Sequence, residues 1–185
     1  MMNAGVQYLG LLRGINVGGK NLVKMSELRE ALEELGYTDV ATYIASGNFV
    51  FRAPRQKRAE LAEHLEARLS KRFGLELRLV LLTHVQLKRV VDQAPRGFGA
   101  KTDRCDVIFL FAPLTAKGAM AVIEMKEGVD RGWAGPGVVY FSRLADRATS
   151  SRLGRVIAKS EYQDMTIRSW GTTTKLLALM DSRAE

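Results

Sequence analysis

Three glycines in six residues, Gly14, Gly18 and Gly19, lie in the run Arg13-Gly14-Ile15-Asn16-Val17-Gly18-Gly19-Lys20-Asn21. Glycine backbone can enter positive φ and let a ligand approach its amides, while Arg13, Asn16 and Lys20 add side-chain donors. The combination suits a phosphate or another anion. Formally, Gly14-x4-Gly19-Lys20 opens a phosphate-binding P-loop, but Asn21 stands where a Mg²⁺-holding Ser or Thr belongs. The helical apolar period also begins only at Met25, too late for a helix N-terminus to face the phosphates. An NTPase is therefore set aside, and a dinucleotide site is too, because Gly-x-Gly-x-x-Gly is absent. The bland alternative is a tight crossover in which Asn16 bonds its own backbone.

A second polar turn, Ser46-Gly47-Asn48, separates the β-branched and aromatic runs Val40 to Ile44 and Phe49 to Phe51, as expected of a hairpin. If strand one lies antiparallel to strand three, the end of the first meets the start of the third, and Arg13 and Asn48 share one sheet edge. Ser46, Gly47 and Asn48 then join Arg13, Gly14, Asn16, Gly18, Gly19 and Lys20 as candidate ligand-binding residues.

Conventional catalytic groups are scarce. His64 lies among Glu60, Glu63 and Glu66 on a helix and reads as solvent-facing, and His84 follows a strand and reads as a turn residue. Cys105 opens an apolar strand and reads as a small buried hydrophobe rather than a reactive thiol. With one cysteine and two histidines the chain cannot build the usual zinc cage or an internal disulfide, so neither metal nor cofactor is expected.

The elements that position these residues follow from apolar spacing. Val6 to Leu12 reads as a strand, and Met25, Leu28, Leu32 and Leu35 form a helical stripe closed by Gly36. After the hairpin, a helix opening at Pro54 carries Leu61, Leu65, Leu69 and Phe73, stops at Gly74, and leads into a strand at Leu75 to Leu82. The first stretch is thus β-α-β-β-α-β, the ferredoxin-like order. From Val85 the pattern recurs: a short helix to Val91, a strand at Cys105 to Phe111, a helix at Thr115 to Met125, a turn at Gly132 to Gly137 and a strand at Val138 to Phe141. A helix capped by Ser150 or Ser151, with Leu153, Val156 and Ile157 inward, then a strand at Met165 to Arg168 and a terminal helix, complete it. The expected fold is α+β, with two ferredoxin-like (β-α-β-β-α-β) repeats in tandem, 1-83 and 84-185, the second carrying the C-terminal helix.

Composition agrees with a globular protein. The 185 residues are 46% hydrophobic and 26% charged, with no apolar run long enough to span a bilayer and no secretory signal at the N-terminus. A cytoplasmic location without membrane contact is expected. The net charge of +8 is spread beyond any tail, with one cluster at Arg143, Arg147, Arg152, Arg155 and Lys159. That cluster reads first as a solvated helix face and second as a polyanion patch.

The segments Leu11 to Asn21, Met25-x-x-Leu28, Leu35-Gly36, Thr42-Tyr43-Ile44-x-Ser46-Gly47-Asn48 and Phe51 closely resemble the bacterial family called domain of unknown function 1697. Thr166-Ile167-Arg168-Ser169-Trp170-Gly171-Thr172 and Lys175-Leu176 resemble its second hallmark, Thr-x-Arg-Asn-Trp-Asn-Thr, with Ser169 and Gly171 in place of the two asparagines. The resemblance implies an α+β fold of two ferredoxin-like repeats and brings no established activity, substrate or cofactor. Arg168 and Trp170 of this segment complete the candidate ligand-binding set. The favoured reading is a binding module for a phosphate-bearing or other anionic small ligand. The alternatives are an enzyme using the same pocket and a weak nucleic-acid-binding module working through Arg143 to Lys159. Oligomeric state is not legible.

Overall fold

The computed structural model describes residues 5–184. It is a mixed α+β protein with two four-stranded antiparallel sheets and a C-terminal helix. Contacts divide it into two compact units, one running to Leu87 and resuming at Leu176, the other Lys88–Lys175.

In the first unit β1 (Val6–Leu12), β2 (Thr38–Tyr43), β3 (Asn48–Ala53) and β4 (Leu79–Thr83) form a sheet of order β2-β3-β1-β4. Helices α1 (Met25–Glu34) and α2 (Arg58–Phe73) supply Leu28, Leu32, Leu61, Leu65 and Leu69, which pack with Tyr8, Leu12, Phe49 and Phe51 as a continuous core. The spacing of those leucines is the one read from the sequence, and Gly74 ends α2 at φ 64°. Helix α2 starts at Arg58 rather than at Pro54. The run Leu75 to Leu82 enters the sheet only at Leu79, and up to that point α2 takes up its amides: Leu77 N–H donates to Ser70 Oγ (2.9 Å) and Leu79 N–H to Glu66 Oε1 (2.9 Å). At the outer strand β2 the pairing with β3 slips between Thr38 and Ala41, where Asp39 takes φ 52° and its carboxylate faces Arg52 (3.5 Å) and Arg183 (3.3 Å).

The second unit holds β5 (Asp103–Leu110), α4 (Ala116–Val122), β6 (Asp130–Ala134), β7 (Val138–Leu144) and β8 (Met165–Ser169), in sheet order β6-β7-β5-β8. Helices α3 (His84–Asp92) and α5 (Trp170–Asp181) straddle the division between units. Thr115 Oγ1 accepts the Gly118 N–H at the start of α4, which ends at Val122, short of Met125. Part of the glycine-rich stretch read as a turn is strand β6, paired to β7 through Arg131 opposite Ser142 and Trp133 opposite Tyr140. Gly132 sits close under the methionines of the neighbouring segment, with Met125 Cε 2.7 Å from where a Cβ would stand.

The expected helix after Ser150 is instead two 3₁₀ helices, Leu153–Ala158 and Ser160–Asp164, and a third, Ala145–Ser150, precedes them. At three residues per turn Leu153 and Val156 share a side, while Ile157 falls a third of a turn away. Val156 is buried accordingly, and Ile157 is 64% exposed instead of inward.

Asp130 anchors this segment. Its Oδ2 accepts the backbone N–H groups of Lys126 and Arg152, each at 2.9 Å. Burial by itself would raise this carboxyl, but the Arg152 amide, the Ser151 hydroxyl, the Lys126 amide and the Arg143 charge together hold it below the ordinary aspartate value. Asp130→Ala should therefore cost about 2 kcal/mol, mainly by stranding two amide donors. Because the folded carboxyl is the stronger acid, its contribution is present above the unfolded value of about 3.9 and fades as pH falls through the lower folded value. Denaturant melts of wild type and variant, compared at pH 7 and pH 3, should show the gap narrowing in acid.

Candidate functional site

In the first sheet Leu11 lies opposite Asn48, and one step further Leu12 N–H donates to Gly47 O at 2.9 Å. On the other flank of β1, Arg13 N–H donates to Arg78 O at 2.9 Å. The glycine loop thus leaves the sheet between the Ser46-Gly47-Asn48 turn and the entry to β4, so that segments far apart in sequence meet at one sheet end.

The loop is shaped by two asparagines in the left-handed region, Asn16 (φ 53°) and Asn21 (φ 51°). Asn16 Nδ2 donates to Val23 O (2.9 Å) and Ala45 O (2.6 Å), and its Oδ1 accepts from Val23 N–H (2.8 Å). Asn21 Nδ2 donates to Gly14 O (3.0 Å). Asn16 therefore clamps the loop to the start of α1 and to the hairpin turn. At the tip, Lys20 N–H donates to Val17 O (3.0 Å) across Gly18 (φ 58°) and Gly19 (φ 73°), the two positive-φ residues that a type I′ turn requires. Gly18-Gly19 is thus a hairpin tip with Lys20 beside it, and α1 starts five residues after Lys20, at Met25.

Gly47 closes the floor. Its φ is +78°, and a Cβ would stand 2.7 Å from Leu12 Cβ and 2.8 Å from Ile15 Cδ1. Asn48, fully buried, donates from Nδ2 to Tyr43 O (3.0 Å) and Ser46 Oγ (2.9 Å). Above this floor Gly14, Gly18 and Gly19 are exposed, with nothing within 4 Å of where a Cβ would stand, and Lys20 is exposed beside them. Arg13 and Arg78 are half-buried at the base of the loop. Arg78 was not singled out from the sequence. Antiparallel pairing of the Leu75 to Leu82 run with strand one is the signal that could have placed it next to Arg13.

Arg168 and Trp170 belong to the second unit. Arg168 lies opposite Val107 on β8 and is buried, which pulls its guanidinium down to about 10. It donates to Thr166 Oγ1 and Ile167 O, both at 2.9 Å. The Trp170 indole meets the Phe98 edge at 5.1 Å and lies against Gly99, where a Cβ would collide with the ring. Ser169 caps α5 by accepting the Thr172 N–H at 3.1 Å. Asparagine and serine are comparably good at such a cap.

The remaining groups have structural employment. Gly99 N–H donates to Cys105 Sγ (3.2 Å), and burial pushes the thiol up, away from nucleophilic character. His64 is exposed, whereas His84 opens α3 instead of lying in a turn and meets Asp181 Oδ1 at 2.6 Å. No group of three His, Cys, Asp or Glu among the described residues could hold a metal ion, and no helix among them is long and apolar enough to cross a membrane. Three of the five clustered cations meet carboxylates: Arg143 with Asp106 (2.8 Å), and Arg155 (2.8 Å) and Lys159 (3.5 Å) with Glu124.

A family model described as a protein of unknown function (DUF1697) matches residues 6–140, a span that includes the glycine loop and the Ser-Gly-Asn turn. The solved structure of the conserved bacterial protein SP0830 from Streptococcus pneumoniae is similar at a TM-score of 0.83 and 28% identity, covering 96% of this chain and 99% of that one. Comparison with curated proteins finds no match.

Proposed function

The chain belongs to the DUF1697 family of proteins of unknown function, and we propose that it is a binding module for a phosphate-bearing or other anionic small ligand seated on the glycine-rich loop. The observation that carries this reading is the open backbone of Gly14, Gly18 and Gly19 with Lys20 beside it and Arg13 and Arg78 at its base. Exposed glycine backbone with cations beside it is a setting in which an anion can exchange its water for amide and charged donors. Asn16, Gly47 and Asn48 hold the loop in shape, while Arg13 and Lys20 supply charge. Arg168 and Trp170 stay in the candidate set as residues of the second family hallmark.

We read the framework as two ferredoxin-like repeats, the first within 1-83 and the second, with the C-terminal helix, within 84-185. The support is the equivalent antiparallel order of the two sheets, β2-β3-β1-β4 and β6-β7-β5-β8. A cytoplasmic location fits the single, buried, reduced cysteine.

The test is a titration of the full chain with pyrophosphate, followed by amide NMR. The Gly14, Gly18 and Gly19 resonances are expected to shift together in a saturable way. Lys20→Ala should weaken binding about tenfold through loss of one charged contact, while the apo melting temperature moves by no more than about 1 °C, as for other surface changes. Unchanged binding by the Lys20 variant, or shifts confined to other residues, would refute the assignment to this loop.

A further inference from the structure

The second unit contains a cavity of about 520 Å³ that the glycine loop does not share, and its lining is divided by chemistry. One wall comes from the sheet. Successive strand residues alternate in face, so Arg104, Asp106 and Ile108 of β5 point to one side. Ile108 is at the centre of the unit's core with Val139, Phe141 and Met165, and Arg104 and Asp106 continue that face towards the start of the strand. There Arg104 lies directly opposite Arg143 of β7. Two like charges in that position repel. Asp106 compensates one of them, pairing with Arg143 at 2.8 Å, while among the described residues Arg104 has no carboxylate within ion-pair distance.

The opposite wall is the 3₁₀ segment. Leu153 and the exposed Ile157 face the cavity, with Tyr162 and with Ile167 of β8. Ile157 is thus a large apolar side chain turned out of the core and into a recess. Asp146 also lines the cavity and, like Arg104, is exposed, with no ion pair between the two. The volume falls within the range of about 300–1,000 Å³ typical of small-molecule sites, which combine apolar walls with a few placed polar groups.

We propose that this cavity binds a small organic anion with an apolar body, an aryl or branched alkyl carboxylate or sulfonate. Its acidic group meets Arg104 beside the Arg143–Asp106 pair, and its hydrocarbon part covers Ile157, Leu153 and Ile167. Such a ligand supplies the ion-pair partner that Arg104 lacks among the described residues and removes the isoleucine from water.

The experiment uses the full chain with two fluorescent probes, the anionic anilinonaphthalene sulfonate and the neutral phenylnaphthylamine, which share an apolar body and differ by the sulfonate. The anion is expected to bind at one saturable site about tenfold more tightly than the neutral probe, the worth of one charge-assisted contact. Arg104→Ala should erase that preference and leave the neutral probe unaffected. Ile157→Ser should weaken both probes about fivefold, by loss of apolar contact. Both positions are exposed, so both variants should melt like wild type, which is checked first. Absence of saturable binding, equal affinity for the two probes, or either variant behaving as wild type would overturn the proposal.

Discussion

Gly10→Ala is expected to cost at least about 3 kcal/mol, although it adds only a methyl group. Gly10 lies opposite Phe49 on the core face of the first sheet, and a Cβ at position 10 would stand 2.6 Å from both Cε atoms of the phenyl ring and nearer still to Cζ. The ring is fully buried and has no room to swing, since Phe51 packs beside it at 5.6 Å and Tyr8 stacks on Phe51 at 5.6 Å. Overpacking a close-fitted core costs about 1–3 kcal/mol, and more where the obstructing group is rigid on all sides. The measurement is a thermal or urea melt, with a midpoint drop of about 10 °C. Phe49→Leu in the same chain supplies the control. If the clash is the cause, the double variant loses less than the sum of the two single ones. Simple additivity would assign the loss to the strand backbone instead.

Asn16→Ala should be nearly as damaging, about 3 kcal/mol, and for a different reason. An alanine at φ 53° bears a backbone cost of about 1–2 kcal/mol, and loss of the amide strands the Val23 N–H, whose residue is buried, at about 1–3 kcal/mol more. Asn16→Gly separates the two contributions: it restores the conformation but not the hydrogen bonds, and should recover about 1 kcal/mol. Asn16→Asp keeps the acceptor for Val23 N–H yet turns a second oxygen towards the carbonyls of Val23 and Ala45, so it should remain unstable at neutral pH. An apo melting point unchanged in Asn16→Ala would contradict the clamp, and with it the distinction between residues that shape the loop and those that charge it.

Local periodicity made the first unit readable. Leu28, Leu32, Leu61, Leu65 and Leu69 repeat on helical spacing because two amphipathic helices each bury one stripe against one sheet. The adjacency of the glycine loop and the Ser-Gly-Asn turn was readable too, since antiparallel pairing of β1 with β3 follows from the order of the elements. The parts that escaped depend on partners far away in sequence. Strand β6 carries a glycine and borders Gly135-Pro136-Gly137, local signals that favour a turn, and it becomes a strand only through its ladder to β7. The segment after Ser150 has apolar residues at 153, 156 and 157, a spacing that suits 3.6 residues per turn, whereas the 3₁₀ segment is tied at its start to Asp130, distant in sequence. Arg104 and Arg143 are 39 positions apart, and only the β5–β7 register sets them face to face. Side-chain identity leaves Asn16 open to two roles, ligand donor or backbone clamp, and only the folded loop shows its amide bonded to Val23 and Ala45.

The slip in β2 bears on what happens when many copies of this chain meet. A strand with one neighbour leaves a row of N–H and C=O groups that any extended chain can extend into a further strand, which is how edge-to-edge aggregation starts. Here that row is interrupted at Asp39, whose positive φ turns the backbone out of the ladder. An incoming strand would find two short stretches in different register, and beside them a carboxylate already engaged by Arg52 and Arg183 that it would have to strip of water. The irregularity that interrupts one sheet is thereby also an obstacle to strand addition along its β2 edge, where a straight β2 would offer a continuous row of donors and acceptors.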